Sequence, residues 1–364
     1  METYEKILGH YYYVFDVNRI LFKASNYILR KGVDQTSYVF LHGNEYKVDS
    51  KLRQQLTDVQ PGDLIYLNEK GNVSIVLKAG EKEVTLFVTN ACNSNCIMCP
   101  LSEHSRRNEY DQSHYIRLIE YIDLLPKDIS FFNITGGEPT LAREYLIEMM
   151  RRLRTKYNRA NFQFLTNGRS MADDHLVHKL LDNSPRNMLF AIPLHAHIDS
   201  LHDYITRADG SFSQTQRGIK NLIRAGQRVE IRIVLSKLNG GHYLDIAKYI
   251  ADHYQGCFCV TLMAMEMMGN AMINREKVWQ DLRVVSSQAK AAIDYLVLHG
   301  IDVRLYNFPL CYIDKKYWPL AKQSITSYKI RYLEKCNDCK VRDVCGGWFN
   351  STMYVIKPEV YPIL

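Results

Sequence analysis

From residue 83 onward, short apolar runs alternate six times with amphipathic helical patterns, and this alternation restricts the chain to a narrow set of folds. Each run is rich in branched or aromatic residues and is bounded by Gly, Asn or Pro, which is typical of buried strands. Six successive strand–helix units predict a parallel sheet with right-handed crossovers, either doubly wound or curled into a partial barrel. The runs are "VTLFVTNA", "ISFFNITGG", "FQFLTNG", "MLFAIPLHA", "VEIRIVLS" and "CFCVTLMAM".

A polar motif follows each of the first three predicted strands. The cysteine-rich segment "ACNSNCIMCP" at 91–100 follows the first, "GGEP" at 136–139 the second and "TNG" at 166–168 the third. In both sheet arrangements, ligands and catalytic groups gather in the loops at the carboxyl ends of the strands. The shared placement of the three motifs predicts one functional site at that edge.

The rest of the chain differs in pattern from this core. The 364 residues are 46% hydrophobic, enough for two to three domains. Residues 1–82 contain short strand-like pieces between Gly-containing turns, which predict a small β-rich accessory domain. Residues 306–364 contain cysteines and little periodicity, so a metal centre can replace a hydrophobic core there. We therefore predict three regions: 1–82, a core at 83–305, and a C-terminal extension at 306–364.

Composition and charge exclude several classes of protein. No segment has the pattern of a secretory leader or of a membrane span, so we expect a cytoplasmic protein with no membrane association. Nine cysteines in a reducing compartment indicate metal binding or redox chemistry rather than disulfides. The net charge is +7, and the densest basic run, at 151–159, continues an apolar-periodic helix. We interpret that run as a solvated helix face and do not expect a nucleic-acid partner.

Cys92, Cys96 and Cys99 offer three thiolates at C-x3-C-x2-C spacing. Thiolates select zinc, copper(I) or iron–sulfur clusters. A zinc site would need a fourth ligand, and His104 is close enough in sequence to supply it. The alternative is a four-iron cluster in which the protein holds three irons and the fourth stays open to a substrate or cofactor.

This motif, placed after the first strand of a six-unit α/β array, resembles the signature of radical S-adenosylmethionine (SAM) enzymes. The resemblance implies a partial (β/α)6 barrel, a [4Fe-4S] cluster on Cys92, Cys96 and Cys99, and SAM bound through its amino and carboxylate groups to the open iron. It also implies reductive cleavage of SAM to a 5′-deoxyadenosyl radical. One residue departs from the family pattern, because Met98 stands where an aromatic residue is usual and would pack against adenine.

Three further positions match the family's SAM site. Gly136, Gly137 and Glu138 resemble its GGE motif, which receives the amino group of SAM. Glycines there also permit a close backbone approach. Asn167 lies where the family lines the SAM pocket, although Asn-Gly is equally a common turn dipeptide.

Two more residues are candidates on the next strands. The resemblance suggests that His195 contacts SAM, but a structural histidine fits the pattern as well. Arg232 is a charge inside a predicted buried strand, so it needs a partner. That partner is either the SAM carboxylate or Glu230, two residues away on the same strand face. The sequence identifies no catalytic acid or base.

A second set of cysteines comprises Cys311, Cys336, Cys339 and Cys345. Four thiolates suit either structural zinc or a fully ligated four-iron cluster, and spacing alone leaves both open. Cysteines at this spacing after such a core resemble the twitch or SPASM extensions of peptide-modifying members. Because the full seven-cysteine SPASM set is missing, the resemblance implies one auxiliary [4Fe-4S] cluster, with zinc as the alternative.

Residues 191–235 and 310–347 are similar to the His-Xaa-Ser system maturases, the HxsC family. This likeness implies a peptide or small-protein substrate, a second radical SAM maturase as a partner, and an electron donor such as flavodoxin or ferredoxin. Two other functions stay open: a radical SAM enzyme acting on a small molecule or tRNA, and a zinc-stapled binding protein without catalysis.

Overall fold

The computed structural model describes residues 6–16, 26–31, 36–42, 44–107 and 110–364. These residues form a six-stranded sheet, an eight-stranded sheet and a two-stranded ribbon. The strands of the first sheet are β1 (His10–Asp16), β2 (Asn26–Lys31), β3 (Thr36–Leu41), β4 (Asn44–Lys47), β5 (Leu64–Leu67) and β6 (Val73–Leu77). Those of the second are β7 (Glu83–Phe87), β8 (Phe131–Thr135), β9 (Asn161–Leu165), β10 (Met188–Pro193), β11 (Arg228–Leu235), β12 (Cys259–Ala264), β13 (Val303–Tyr306) and β14 (Ala321–Lys322). The ribbon pairs β15 (Ile330–Arg331) with β16 (Trp348–Phe349).

Helices fill most of the connections between these strands. They are α1 (Ser50–Gln55), α2 (Glu103–Arg107), α3 (Gln112–Leu124), α4 (Glu144–Lys156), α5 (Asp174–Asn183), α6 (Asp199–Thr206), α7 (Ser211–Arg224), α8 (Tyr243–His253), α9 (Gly269–Ile273), α10 (Arg275–Val278), α11 (Leu282–Leu298) and α12 (Asn350–Val355). Among the residues described, no helix is long and apolar enough to cross a bilayer.

The eight-stranded sheet is parallel throughout and runs in chain order from β7 to β14. It curls into a half-barrel, which confirms the predicted partial (β/α)6 barrel. All six predicted strands are present. Two strands were not predicted: β13 crosses the expected boundary at residue 305, and β14 extends the sheet further. The C-terminal extension therefore begins as a continuation of the core sheet.

Strand alternation gives this sheet two different faces. Phe132, Phe162 and Phe164 are at most 1% exposed and pack in the main hydrophobic core. On the opposite face, Gln163 and Thr261 donate hydrogen bonds to the carboxylate of Glu230. An apolar face against the helices and a polar face inside the curl leave room for a polar ligand inside the half-barrel.

The N-terminal sheet has a hydrophobic core of its own, which includes Tyr12, Val14 and Ile65. It docks on α3 of the half-barrel. Tyr13 Oη donates to the carbonyl of Leu124 at 2.7 Å, and Tyr121 Oη donates to the carbonyl of Val76 at 3.0 Å. The β-rich character predicted for this region is confirmed, whereas the domain limits themselves stay a prediction.

The basic run predicted to be a solvated helix face lies at the end of α4. Leu146, Met149 and Leu153 bury one face of this helix. Arg152 Nε lies 2.6 Å from Glu148 on the opposite face, so part of the positive charge is neutralised locally.

Candidate active site and cysteine centres

The three cysteines of the first motif lie on one loop between β7 and α2, and all three are partly buried. Two backbone hydrogen bonds attach this loop to the end of α6. Asn95 N–H donates to the carbonyl of Thr206 at 2.9 Å, and Ile97 N–H donates to that of Ile205 at 2.9 Å. The cysteines are thus presented by a fixed backbone, as a rigid ligand set requires.

Sequence reasoning missed the residues that hold the other side of this loop. Asn270 Nδ2 donates to Asn95 Oδ1 at 2.9 Å and to the carbonyl of Cys96 at 3.0 Å. Asn274 Nδ2 donates to the carbonyl of Ile97 at 3.1 Å. Both asparagines lie in or just after α9, within a stretch that the sequence presents as a methionine-rich run. The signal was the pair of polar residues that interrupts this run at helical spacing.

Met98 is 4% exposed and lies in a hydrophobic cluster with Met265 and Met267. The side chain that replaces the family's aromatic residue therefore packs against protein. Its contacts fasten the cysteine loop to the segment that follows β12.

The environment of the three thiols favours a cationic centre. Burial is the main cause that raises the pKa of Cys92 to about 11 and that of Cys96 to about 12, and charge repulsion from a neighbouring thiolate contributes to both values. Burial also raises the pKa of Cys99. Three thiolates gathered here are unfavourable unless bound metal compensates their charge.

His104, the fourth zinc ligand that the sequence allowed, does not join the three thiols in the described structure. Sulfur ligands of one zinc ion lie about 4 Å apart, because each Zn–S bond is about 2.3 Å. Among the described residues, neither cysteine set nor His104 belongs to a group of three ligand atoms within 4.8 Å of one another. His104 is exposed on α2. The zinc site of three cysteines and His104 that the sequence left open is therefore not assembled among the described residues.

Gly136 and Gly137 are required by the cysteine loop itself. Gly137 N–H donates to the carbonyl of Thr89 at 2.6 Å. A Cβ at Gly136 would lie 2.4 Å from Thr89 O, and one at Gly137 would lie 2.3 Å from Ala91 O. The close backbone approach expected from the sequence is present, and it joins the GGE turn to the loop that contains the cysteines.

Glu138 has no exposed surface, and its carboxylate accepts four hydrogen bonds from this chain. The donors are Thr140 N–H, Thr140 Oγ1, Thr166 Oγ1 and Asn167 N–H, at 2.7 to 3.2 Å. Burial raises the pKa of this carboxyl, and the hydrogen bonds act in the opposite direction. Glu138 thus ties the turn after β8 to the turn after β9.

Asn167 lies beside the cysteine loop. Its Nδ2 donates to Asn93 Oδ1 at 2.6 Å and lies 3.9 Å from Cys92 Sγ. The residue therefore belongs to the same edge as the GGE turn and the first cysteine, where the sequence placed it.

His195 is 4% exposed, and its Nδ1 is buried with no hydrogen-bond partner among the described residues. Burial lowers its pKa to about 3, with a further contribution from His202, so the ring is neutral near pH 7. A neutral ring with an unpaired nitrogen is compatible with a contact to a bound ligand.

His202 and Asp203 have local structural partners. His202 Nδ1 lies 3.1 Å from Ser211 Oγ, and the Asp203 carboxylate accepts from the N–H groups of Gly210 and Phe212 at 2.7 Å. These bonds orient the start of α7.

Arg232 is paired with Glu230 inside the half-barrel. Arg232 Nε lies 2.9 Å from Glu230 Oε1, and a second nitrogen lies 3.1 Å from Oε2. Glu230 has no exposed surface, so the pair satisfies a buried carboxylate. The sequence left the SAM carboxylate and Glu230 open as partners of Arg232, and the structure shows the ion pair with Glu230.

The second set of cysteines lines a single cavity. Cys311, Cys336, Cys339 and Cys345 all contribute to its wall, together with apolar side chains such as Trp348 and Val360. Burial raises the pKa of Cys311 and of Cys345. Four thiols around an apolar cavity fit a buried, fully ligated cluster.

Backbone N–H groups point at the sulfur atoms of this cavity. Leu310 N–H and Gly347 N–H donate to Cys345 Sγ at 3.3 and 3.4 Å, and Ile363 N–H donates to Cys339 Sγ at 3.5 Å. Such bonds stabilise thiolates and tune the potential of a bound cluster.

The cysteine-rich region is also anchored to the half-barrel. Glu266, which follows β12, lies 3.2 Å from Lys329 Nζ and is within 3.5 Å of Ser351 Oγ. Cys259 is buried in β12 and Cys257 is partly buried just before it, as expected for cysteines that pack as small apolar residues.

The core of the chain resembles a known protein family. Residues 86–250 match the model of the radical SAM superfamily. A curated relative from Saccharolobus islandicus, described as "Probable GTP 3',8-cyclase", is 31% identical over 164 residues. That match covers 43% of this chain and 49% of the relative. The chain thus spans about half the length of the curated relatives it matches.

Solved structures are similar to this chain, and one of them reaches a TM-score of 0.50. Streptococcus suis SuiB bound to precursor peptide SuiA has a TM-score of 0.50 and 14% identity, over 67% of this chain and 52% of SuiB. Native anSMEcpe with bound AdoMet has a TM-score of 0.47 and 17% identity, over 61% of this chain and 64% of that protein.

Proposed function

We propose that this chain is a radical SAM enzyme that modifies a peptide or small protein, of the kind found in His-Xaa-Ser systems. The observation that carries the proposal is the pair of cysteine centres. One is an open set of three on the loop after β7, and the other is a closed set of four around the C-terminal cavity. An open set leaves a coordination position for a cofactor, and a closed set leaves none.

In this proposal Cys92, Cys96 and Cys99 hold a [4Fe-4S] cluster, and SAM binds beside it. When bound, the cluster and SAM supply one-electron chemistry, namely reductive cleavage of SAM and hydrogen abstraction from the substrate. The turn of Gly136 and Gly137 receives the amino group of SAM, while Glu138 fixes that turn against the next one.

The remaining side chains position SAM and exclude water. Asn167 supplies an amide at the cysteine loop, and His195 supplies a neutral ring nitrogen. Arg232 has five N–H donors, and its pair with Glu230 uses two of its nitrogens, so the guanidinium can also receive the carboxylate of SAM.

Cys311, Cys336, Cys339 and Cys345 would hold one auxiliary [4Fe-4S] cluster. Support for a peptide substrate comes from this extension and from the shared fold with SuiB, whose structure was determined with a precursor peptide. A second maturase, an electron donor such as flavodoxin or ferredoxin, and a cytoplasmic location complete the proposal.

A second candidate is a radical SAM enzyme that acts on a small molecule, because the curated relatives are described as GTP cyclases. The test is an anaerobic assay of reconstituted protein with SAM and dithionite, in which 5′-deoxyadenosine is quantified with a His/Ser-repeat peptide or with GTP. We expect the peptide alone to raise turnover and to change in mass. Stimulation by GTP alone would favour the second candidate.

The same preparation tests the metal content. We expect about eight iron atoms per chain, four for each cluster. A Cys96→Ala variant should abolish 5′-deoxyadenosine formation, whereas a Cys257→Ala variant, which changes a cysteine outside both sets, should retain it. Zinc without iron in the wild-type protein would overturn the proposal.

A further inference from the structure

A third group of metal-ligating side chains lies apart from both cysteine centres. The ligand atoms of His197, His242 and Asp245 all lie within 4.8 Å of one another, and the described residues contain no other such group. His197 follows β10, His242 ends a short 3₁₀ turn after β11, and Asp245 is in the first turn of α8. Because β10 and β11 are parallel neighbours, the group lies at the carboxyl edge of the sheet.

The contacts within the group leave one ring nitrogen without a partner among the described residues. His197 Nδ1 is buried and has no hydrogen-bond partner in the described part of the chain. The two imidazole centroids are 5.5 Å apart with planes tilted by 40°, and His242 Nδ1 lies 3.8 Å from Asp245 Oδ2. The last distance is too long for a hydrogen bond. A buried ring nitrogen without a partner costs free energy that a metal bond would recover.

A buried asparagine fixes the two loops that present the histidines. Asn239 has no exposed surface, and its Nδ2 donates to the carbonyl of His195 at 3.0 Å and to that of Val234 at 3.1 Å. Its Oδ1 accepts from the N–H and hydroxyl of Ser236 at 3.0 and 2.9 Å. His242 N–H then donates to the carbonyl of Asn239 at 3.0 Å. The backbones on both sides of the group are therefore held before any ligand binds.

We propose that His197, His242 and Asp245 bind a divalent transition-metal ion, with zinc as the best-suited ion. Two imidazoles and one carboxylate match the three protein ligands of open zinc sites, which keep a fourth position for water or a substrate atom. Metal–nitrogen bonds of about 2.0–2.1 Å place ligand atoms about 3–4 Å apart, so small side-chain rotations complete the site. The group contains no thiolate, and this distinguishes it from the two cysteine sets.

The test uses the protein after both cysteine sets have been loaded with iron and sulfide, so that thiolates do not compete. Zn²⁺ is titrated anaerobically by calorimetry, and Co²⁺ is titrated with visible absorption as the second reading. We expect one equivalent of each ion to bind, with ligand-field bands for cobalt and no sulfur-to-cobalt charge-transfer bands. His242→Ala and Asp245→Asn should each weaken Zn²⁺ binding at least about tenfold.

The matched control is His253→Ala, because His253 is an exposed histidine at the other end of α8. It should bind zinc as the wild type does. Iron content and thermal unfolding of each variant report whether the fold is intact. Zinc binding unchanged in both ligand variants, absence of a site in the wild type, or sulfur-to-cobalt bands would overturn the proposal. None of these outcomes bears on formation of 5′-deoxyadenosine, so the proposed function is tested separately.

Discussion

Single buried residues at the carboxyl edge of the half-barrel decide how the site is assembled. Glu138 joins two turns through four hydrogen bonds, and Gly136 and Gly137 let the first of these turns touch the cysteine loop. These residues act on the shape of the site whether or not SAM touches them. We therefore expect substitutions at these positions to lower the iron content of the first cysteine set, and to lower activity as a consequence of that loss.

Gly137→Ala tests this at one position. The added Cβ would lie 2.3 Å from Ala91 O and 2.4 Å from Asn90 O, so the cysteine loop has to move. Overpacking of this kind costs about 1–3 kcal/mol in free energy of unfolding. We expect urea unfolding to show that loss and iron analysis to show depletion of the first cluster. The control is Gly241→Ala, where no atom lies within 4 Å of the added Cβ; equal iron loss in both variants would contradict this account.

His202 makes stability depend on pH. Burial lowers its pKa in the folded protein from 6.5 to about 4, so the unfolded chain binds the proton more tightly. The stabilisation that this pKa difference gives the folded protein is complete above pH 6.5 and is lost as the pH falls towards 4. Between pH 7.5 and 5.5, this one group should reduce the free energy of unfolding by about 1.4 kcal/mol.

The measurement is urea unfolding of wild-type protein and of His202→Phe at both pH values. The variant should lose about that much less stability on acidification. An identical decrease in both proteins would show that His202 does not carry the effect. His299, which is exposed after α11, supplies the control variant His299→Gln, whose pH dependence should match the wild type.

At the scale of elements, the site depends on helices that reach the cysteine loop from distant parts of the chain. α6 receives two backbone hydrogen bonds from the loop, and α9 covers it through Asn270. Gly269 begins α9 with φ of +53°, and a Cβ there would lie 2.3 Å from Pro100 O. The short helices α6 and α9, which lie far apart along the chain, thus hold the cysteine loop from two sides.

The substitution Asn270→Ala removes the contact between α9 and the cysteine loop without replacing a cysteine. It removes the hydrogen bonds that Asn270 makes with the carbonyl of Cys96, with Asn95 Oδ1 and with the N–H of Glu103. We expect the free energy of unfolding to fall by about 1–3 kcal/mol and iron to leave the first cluster faster in the presence of a chelator. Ile273→Ala is the control, since Ile273 lies in the same helix and is 73% exposed. Iron release as slow as in the control would contradict the clamping role.

Across the whole molecule, the sequence predicted the features that depend on residues close together in the chain. The six core strands were predictable because each is a short, mainly apolar run rich in branched or aromatic residues, and Glu230 was one of the two partners that the sequence allowed for Arg232. β13 and β14 were missed because they are four and two residues long and include charged side chains. The role of Asn270 was missed because it contacts residues about 175 positions earlier in the chain.

The two cysteine sets illustrate the same limit. The spacing of the cysteines in the sequence left both a zinc ion and an iron–sulfur cluster open for each of the two sets. In the described structure, the four cysteines of the C-terminal set line one cavity. That arrangement joins Cys311 to a segment some 25 to 34 residues later, which spacing cannot give.

The most direct test is electron paramagnetic resonance of the dithionite-reduced, reconstituted protein, recorded with and without SAM. The sample is a variant in which Cys311, Cys336, Cys339 and Cys345 are all alanine, or Cys336→Ala alone should the fourfold variant not fold. We predict a [4Fe-4S]⁺ signal whose g values change when SAM is added, because SAM occupies the iron that Cys92, Cys96 and Cys99 leave open. A spectrum that SAM leaves unchanged, or a first centre that contains zinc and no iron, would contradict the account.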